Sequence, residues 1–214
     1  MSFLFSSIGK KIQIALSGLF LAIFLLVHLL NNLVLLSGES NFNSMVSFLK
    51  SIHIIIRIME FGLLGIIVLH IGNAIITSYQ NRNANNGKYA VSNNTAPKNS
   101  KTMIWSGLMI LFFFIIHLRY FWYNFQNMNS DFFGKVISNE FGFLGHFPTA
   151  IIYIISIILI AIHLKHGFLS LFKTLGISLR VRENVLQYIA IIFWGIIPAG
   201  FILIVLAIQI GFIK

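Results

Sequence analysis

The 214-residue sequence contains no cysteine and very few charged residues. The lack of cysteine excludes disulfide bonds, cysteine-ligated iron–sulfur clusters and covalent attachment of haem through a CxxCH motif. Only 9% of the residues are charged and 57% are hydrophobic, a balance that a soluble globular domain of this length does not normally have. The composition therefore predicts an integral membrane protein.

The sequence also lacks the motifs of hydrolytic and nucleotide chemistry. It has no GxxxxGK[ST] phosphate loop, no HExxH motif and no pair of carboxylates on one intramembrane face, and we read no internal repeat in it. The formal net charge of +10 comes from Lys and Arg in short segments between apolar runs. We therefore expect no nucleic-acid partner, and we interpret these cations as signals of membrane topology.

Five apolar runs are long enough to cross a hydrocarbon core of about 30 Å, and we number them spans 1 to 5. They cover residues 12–36, 53–78, 103–125, 147–171 and 185–212. The first run is too long for the apolar region of a signal peptide and has no AxA-like cleavage site. The prediction is an all-α membrane protein with one integral membrane domain, 1–214, surrounded by lipid.

The distribution of basic residues predicts the orientation of the spans. Lys and Arg are in excess before span 1, between spans 2 and 3, and between spans 4 and 5, whereas the other two connections have no basic excess. Basic connections favour the cytoplasmic face, so the N-terminus is predicted to be cytoplasmic and the C-terminus to lie outside. The polar connection 79–102 is interpreted either as a flexible cytoplasmic loop or as a docking strip for a soluble partner.

Four histidines lie inside the first four spans, one in each span. Ionisable residues in a span are costly and usually face the bundle interior or a cofactor. At 1.5 Å per residue, His28 and His117 lie roughly 24 Å and 21 Å from the inner ends of spans 1 and 3. His70 and His163 each lie about 12 Å from the inner ends of spans 2 and 4. The sequence therefore predicts an outer pair and an inner pair.

Two histidine pairs at two levels of a four-helix bundle are what two bis-imidazole haems require. A single intramembrane histidine is explained equally well by a hydrogen bond to a neighbouring helix, but the matched depths favour two b-type haems. Ser17 lies at the depth of the inner haem and is a candidate contact, with a back-bonded helix serine as the alternative. His166 is a candidate partner of a haem propionate.

Four segments resemble the cytochrome b subunit of succinate dehydrogenase (succinate:quinone oxidoreductase, fumarate reductase) in its single-chain, two-haem form. ALSGLFLAIFLLVHLLNNL and RIMEFGLLGIIVLHIGNAI resemble its first two ligand helices, and LFFFIIHLRYFW and IAIHLKHGFLSLFKTLG are similar to the next two. The resemblance extends along nearly the whole chain, and HLKHG is its most specific part. It implies the same axial pairs, with His163 rather than His166 as the ligand in HLKHG.

The resemblance implies a complex in the bacterial cytoplasmic membrane, in which a flavoprotein subunit oxidises succinate and an iron–sulfur subunit relays the electrons. This chain is then expected to pass them through two haems to a quinone, menaquinone by the resemblance, and to contain none of the dicarboxylate chemistry. Two other functions stay open. One is a two-haem anchor of another respiratory dehydrogenase, and the other is a non-haem transporter or assembly factor with a proton or metal path.

Three charged residues near the outer haem level complete the candidates. Arg57 and Glu60 lie one turn apart near the outer end of span 2, at the spacing of an i,i+3 ion pair. Arg57 is a candidate propionate contact, Glu60 is a candidate proton carrier for a quinone site, and a purely structural pair is the third interpretation. Arg119, just after His117, is a second candidate for the outer propionates.

Overall fold

The structure is a computed structural model that describes residues 3–84, 99–127, 131–176 and 183–213. It is about 89% helical, and this part of the chain contains no strand. Five helices in it are long and apolar enough to cross a membrane, namely Ser7–Ser37, His53–Asn81, Met103–Asn127, Phe147–Thr174 and Val185–Gln209. The all-α architecture and the five predicted spans are therefore confirmed.

The spans are built from nine α-helices and two π-helical turns in the described ranges. The α-helices are α1 (Ser7–Leu33), α2 (Glu39–Ser51), α3 (His53–Ala84), α4 (Asn99–His117), α5 (Tyr123–Asn127), α6 (Phe132–Ile137), α7 (Phe147–Thr174), α8 (Glu183–Ile191) and α9 (Ile197–Gln209). The π-helical turns, Leu118–Trp122 and Ile192–Ile196, join α4 to α5 and α8 to α9. Spans 3 and 5 are therefore continuous helices.

Helix occupies both ends of the connection predicted between spans 2 and 3. Helix α3 continues to Ala84 and α4 begins at Asn99, whereas the apolar runs end at 78 and begin at 103. The terminal turns of both helices are polar, so the apolar runs predicted the end of α3 too early and the start of α4 too late. Residues 85–98, with Lys88 and Lys98, lie outside the described residues, as do Arg180 and Arg182 in the connection between spans 4 and 5.

Consecutive spans run antiparallel. Lys10 at the start of α1 donates to Gln80 near the end of α3, and Gln209 at the end of α9 donates to the carbonyl of Leu144, just before α7. We call the end of the bundle where spans 1, 3 and 5 begin the N-side and the opposite end the C-side. The sequence prediction assigns the N-side to the cytoplasm.

Two short helices cover the C-side, where the sequence analysis had expected only connections. Helix α2 buries Phe42 and Val46, and the Phe42 ring lies 6.2 Å and 5.9 Å from the rings of Phe132 and Phe133 in α6. The i,i+4 spacing of Phe42 and Val46 was the available signal for α2. Together α2 and α6 close the C-side end of the bundle.

Spans 1 to 4 follow one another around a bundle. Span 1 packs against span 2, span 2 touches span 3, span 3 packs against span 4, and span 4 returns to span 1. The tightly packed core lies on the side of span 5, where Ala150 and Ile197 are 1% exposed. Span 2 is the least enclosed, because none of the residues in its most apolar window is buried. Spans 1 and 3, and spans 2 and 4, therefore face each other across the bundle with little backbone contact.

Candidate functional site

The imidazole of His70 in α3 is held by span 1. Its Nδ1 atom lies 3.0 Å from Ser17 Oγ and 3.2 Å from the carbonyl oxygen of Ile14. A carbonyl only accepts, and the Ser17 hydroxyl hydrogen is already donated to the carbonyl of Gln13 at 2.6 Å. Nδ1 must therefore carry the proton, which leaves the Nε2 lone pair free to bind a metal.

The imidazole of His163 in α7 is held in the same way by span 3. Its Nδ1 atom lies 3.1 Å from Ser106 Oγ, and the Ser106 hydroxyl donates to the carbonyl of Met103 at 3.0 Å. With its hydrogen donated to Met103, the Ser106 oxygen would accept from Nδ1–H and leave the Nε2 lone pair free, although the described structure gives this Nδ1 no carbonyl contact like that of His70 with Ile14. Sequence reasoning identified Ser17 as a candidate but missed Ser106.

Each of these rings also packs against a glycine next to its serine. A Cβ atom on Gly18 would lie 3.1 Å from Cε1 of His70, and one on Gly107 would lie 3.6 Å from Cε1 of His163. The distance at Gly18 is tighter than ordinary packing, so a side chain there would require the His70 ring to shift by a few tenths of an ångström, whereas the distance at Gly107 is ordinary van der Waals contact. His70 and His163 lie near the same end of spans 2 and 4, each held by a serine of the preceding span, and we call them the N-side pair.

The matching serines lie in two similar segments, a short repeat that the sequence analysis had not included. Residues 17–28 of span 1 align with residues 106–117 of span 3 without a gap. Five of the twelve positions are identical, namely Ser17/Ser106, Gly18/Gly107, Leu19/Leu108, Phe24/Phe113 and His28/His117. In both segments the serine precedes a C-side histidine by eleven residues and holds an N-side histidine, so the two levels have the same spacing on spans 1 and 3.

His28 and His117 lie opposite each other across the bundle, and we call them the C-side pair. Their ring centroids are 5.7 Å apart and their planes are nearly perpendicular, at 89°. Metal–imidazole bonds are about 2 Å long, so two axial imidazoles on one iron have centroids roughly 6 Å apart. The separation of the C-side pair therefore fits axial ligation of a single iron.

The hydrogen bonds of the C-side pair are longer than those of the N-side pair. Nδ1 of His117 lies 3.4 Å from the Tyr153 hydroxyl, and Nδ1 of His28 lies 3.5 Å from the side-chain nitrogen of Asn32. A tyrosine hydroxyl can donate or accept, so the contact at His117 fixes no tautomer, whereas the amide nitrogen of Asn32 only donates and would make Nδ1 of His28 the acceptor. The hydrogen bonds therefore favour the binding tautomer at the N-side pair, whereas the ring separation is the evidence at the C-side pair.

Aromatic rings enclose the C-side pair. The rings of Phe24 and Phe201 lie 5.4 Å and 5.6 Å from His28, and those of Phe113 and Phe121 lie 5.8 Å and 5.3 Å from His117. Phe201 belongs to span 5, to which sequence reasoning assigned no part in the site. The C-side pair therefore lies in an apolar environment of aromatic rings.

None of the four Nε2 atoms has a hydrogen-bond partner among the described residues. A histidine that ligates a metal through one nitrogen commonly donates its other N–H to a neighbouring group, which is the arrangement at the N-side pair. The described ranges contain no group of three or more His, Cys, Asp or Glu residues that could hold a metal ion. Paired imidazoles of this kind suit a metal whose other ligands come from a macrocycle.

Two buried polar atoms near the N-side pair have no hydrogen-bond partner within the described ranges, Nδ1 of His166 and Oγ1 of Thr77. His166 lies three residues beyond His163, and Thr77 lies seven residues beyond His70, about 4.5 Å and 10 Å closer to the N-side. Burying an unpartnered polar group is costly. Both atoms are therefore available to a polar ligand group, and Thr77 was missed although its i,i+7 spacing from His70 was visible.

Arg57 and Glu60 form the predicted ion pair, and Gln126 of α5 completes a closed triad with them. Arg57 Nη1 lies 2.9 Å from one Glu60 carboxylate oxygen, and Gln126 Nε2 donates to the other at 2.9 Å. Arg57 Nη2 donates to Gln126 Oε1 at 2.5 Å. The charge of Arg57 already has a partner, which supports the structural interpretation of the pair. Sequence reasoning missed Gln126 because it lies on a different span.

Arg119 is exposed and has no acidic partner in the described part of the chain. Its guanidinium lies 4.8 Å from the ring centroid of Tyr123 and 5.8 Å from that of Tyr120. Such cation–π contacts anchor a cation without neutralising it. Of the two arginine candidates, only Arg119 therefore keeps an uncompensated charge.

Two shallow apolar grooves on the bundle surface are separate from the histidines. Both lie along span 5, and the one between spans 4 and 5 includes Lys165 and Trp194, whose ring centroid is 4.8 Å from the lysine nitrogen. None of the four histidines lines either groove. The candidate site is therefore formed by side chains that face each other between the spans.

Comparison of this chain with family models, with curated proteins and with solved structures gives no match. The succinate dehydrogenase resemblance therefore rests on the quoted segments alone. The case for a metal site rests instead on the paired imidazoles, their hydrogen bonds and their burial.

The Arg57–Glu60–Gln126 triad predicts a rescue by exchange of its acid and amide. Glu60→Gln removes the partner charge of Arg57, and Gln126→Glu places two carboxylates beside one guanidinium. Each single variant should lower bundle stability by about 0.6 to 1.7 kcal/mol, the range of hydrogen bonds between membrane helices. The double variant keeps one acid and one amide and should lie closer to the wild type. Unfolding in detergent with increasing SDS measures this, and a double variant as unstable as the sum of both singles would contradict the triad.

Proposed function

We propose that this chain is the membrane-anchor two-haem cytochrome b of a succinate dehydrogenase-type complex, with its N-side in the cytoplasm. The N-side pair would ligate the inner haem, and the C-side pair would ligate the outer one. The observation that carries the proposal is the pairing of four imidazoles at two levels, each with an unpartnered Nε2 atom.

The four histidines would hold two redox centres, and their positions along the spans would set the distance between these centres. Two b-type haems, when bound, supply one-electron transfer. His70 contacts Ser17, which precedes His28 by eleven residues on the same helix, so the two levels are separated by roughly 16 Å. The apolar spans would exclude water from both centres. Stacked in this way, the pairs would divide the path from an inner docking face to a quinone into short steps.

The unpartnered polar atoms suggest how the haem propionates would be held. His166 Nδ1 and Thr77 Oγ1 lie on the N-side of the inner pair, where they would donate to the propionates of the inner haem. Ser17 is explained by its bond to His70 and is no longer needed as a direct haem contact. For the outer propionates Arg119 is the better candidate, because the charge of Arg57 is already paired.

The partners in this proposal come from the resemblance and from charge. The basic connections on the N-side would face the flavoprotein and iron–sulfur subunits, and menaquinone would accept the electrons. The transporter alternative has less support, because such proteins typically place unwound helices at their binding site. Here the described parts of spans 1 to 4 are continuous helices around the histidines. An anchor of another respiratory dehydrogenase would use the same haem site.

A reduced-minus-oxidised spectrum of the purified chain tests the proposal directly. We expect the sharp bands of two low-spin b-type haems, because both irons would have two imidazole ligands. The chain should be produced with an adequate haem supply, and the quadruple variant with His28, His70, His117 and His163 all changed to Ala serves as the blank. Wild-type chain without b-type bands would overturn the proposal.

Glu60 is tested as a proton carrier by Glu60→Gln in the complete complex. If Glu60 carries a proton, quinone reduction should fall at least tenfold while both haem spectra stay unchanged, because the amide cannot take up and release a proton at neutral pH. Gln126→Ala is the matched control, since it breaks the same triad but leaves the carboxylate in place. An equal loss of turnover in both variants would assign Glu60 a structural role, and unchanged turnover in Glu60→Gln would remove it from the quinone site.

A further inference from the structure

We infer that Ser17 and Ser106 are paired positioning residues that hold both ligands of the inner haem in their binding tautomer and lower the reduction potential of that haem. This inference rests on the proposed function, because it assigns the two serines a role toward the inner haem. Neither serine would touch the iron or the substrate. Each would act only through the imidazole that it holds.

The direction of the serine hydrogen bonds determines which nitrogen of each imidazole carries the proton. Each serine hydroxyl donates its hydrogen to a backbone carbonyl of its own helix, Gln13 for Ser17 and Met103 for Ser106. The serine oxygen can therefore only accept from the neighbouring imidazole. A helix serine bonded back to its own carbonyl is usually a structural feature, but here that bond fixes the direction of the next one.

Burial strengthens this effect. Ser17 and Ser106 are 4% and 8% exposed, so water does not compete for the two imidazole N–H groups as it would at a surface. In a low-dielectric interior an unpartnered N–H group costs more than in water. The tautomer with the proton on Nδ1 is therefore favoured at both rings, and both Nε2 lone pairs are kept for the metal.

The same serine–glycine arrangement occurs twice, on span 1 and on span 3. Ser17 and Ser106 both precede a histidine of the other pair by eleven residues, and both are followed by the glycine against which the held ring packs. The C-side pair has no equivalent, since its Nδ1 atoms meet Asn32 and Tyr153 at 3.5 Å and 3.4 Å. The two haems are therefore expected to differ in ligand basicity.

A hydrogen bond from Nδ1–H to an acceptor makes the imidazole a more basic ligand. A more basic ligand favours the ferric state, and hydrogen bonding around an axial ligand is one of the protein's means of setting a haem potential. Removing the acceptor should therefore raise the potential of the inner haem. Ser106→Ala should have the larger effect, because His70 keeps the Ile14 carbonyl at 3.2 Å after Ser17→Ala.

A redox titration of the two haems in membranes that contain the whole complex tests the inference. At a fixed ambient potential, Ser106→Ala should raise the ferrous-to-ferric ratio of the inner haem about three- to tenfold, which is roughly 28 to 59 mV for a one-electron couple. Ser17→Ala should shift it less, and Ser106→Thr, which keeps a hydroxyl, should restore it. The outer haem serves as the internal reference, and His163→Ala identifies the inner component.

Ser156→Ala is the matched control. Ser156 is 7% exposed on span 4 and bonds back to the carbonyl of Ile152, but it contacts none of the four histidines in the described structure. It should leave both potentials unchanged. Loss of the inner haem alone in Ser106→Ala, with recovery in Ser106→Thr, would also support the inference.

Two results would overturn the inference, and they separate it from the proposed function. If both haems are bound and the inner potential is the same in Ser106→Ala as in the wild type, the serines do not tune the haem and the proposed function stands. If the wild-type membranes show no b-type haem from this chain, the proposed function fails and this inference fails with it.

Discussion

An imidazole inside a bilayer has two nitrogen atoms, and the surrounding hydrocarbon can partner neither of them. This constraint explains much of how the histidines are arranged within the bundle of spans 1 to 4. At the N-side pair one nitrogen of each ring is held by a serine of the preceding span, and the glycine after that serine lets the ring approach the helix backbone. The other nitrogen is left without a partner in the described structure, and a metal ligated by facing rings would remove the remaining cost.

The two histidine pairs meet this constraint by different means. Each imidazole of the N-side pair lies within about 3 Å of a serine oxygen, to which it would donate from Nδ1. The imidazoles of the C-side pair have longer polar contacts and are enclosed by aromatic rings. If both pairs ligate haem, the proposal gives the inner haem more strongly basic ligands and the outer haem a more apolar enclosure. Residues 17–28 and 106–117 place the same Ser–Gly pair at the inner level and a histidine at the outer level, so each of spans 1 and 3 contributes to both sites.

Much of this arrangement could be predicted from the sequence, because bilayer thickness sets the length of a span and helix geometry sets the rise per residue. His28 and His117 were matched by depth alone, and the structure brings their rings to 5.7 Å. Ser106 and Gln126 were missed because their partners lie 57 and 66 residues away in the chain. Helix α2 was missed because its average hydropathy is low, although Phe42 and Val46 share one face. No residue of the site indicates which soluble subunits bind the chain, so the proposed partners come only from the resemblance.

Counting haem in two double variants tests whether the histidines act in two pairs. We expect one haem per chain when His28 and His117 are both changed to Ala, because the N-side pair is intact. We expect none when His28 and His70 are both changed, because each iron then loses a ligand. A full haem per chain in the His28→Ala/His70→Ala variant, measured against protein concentration in the purified chain, would contradict the pairing.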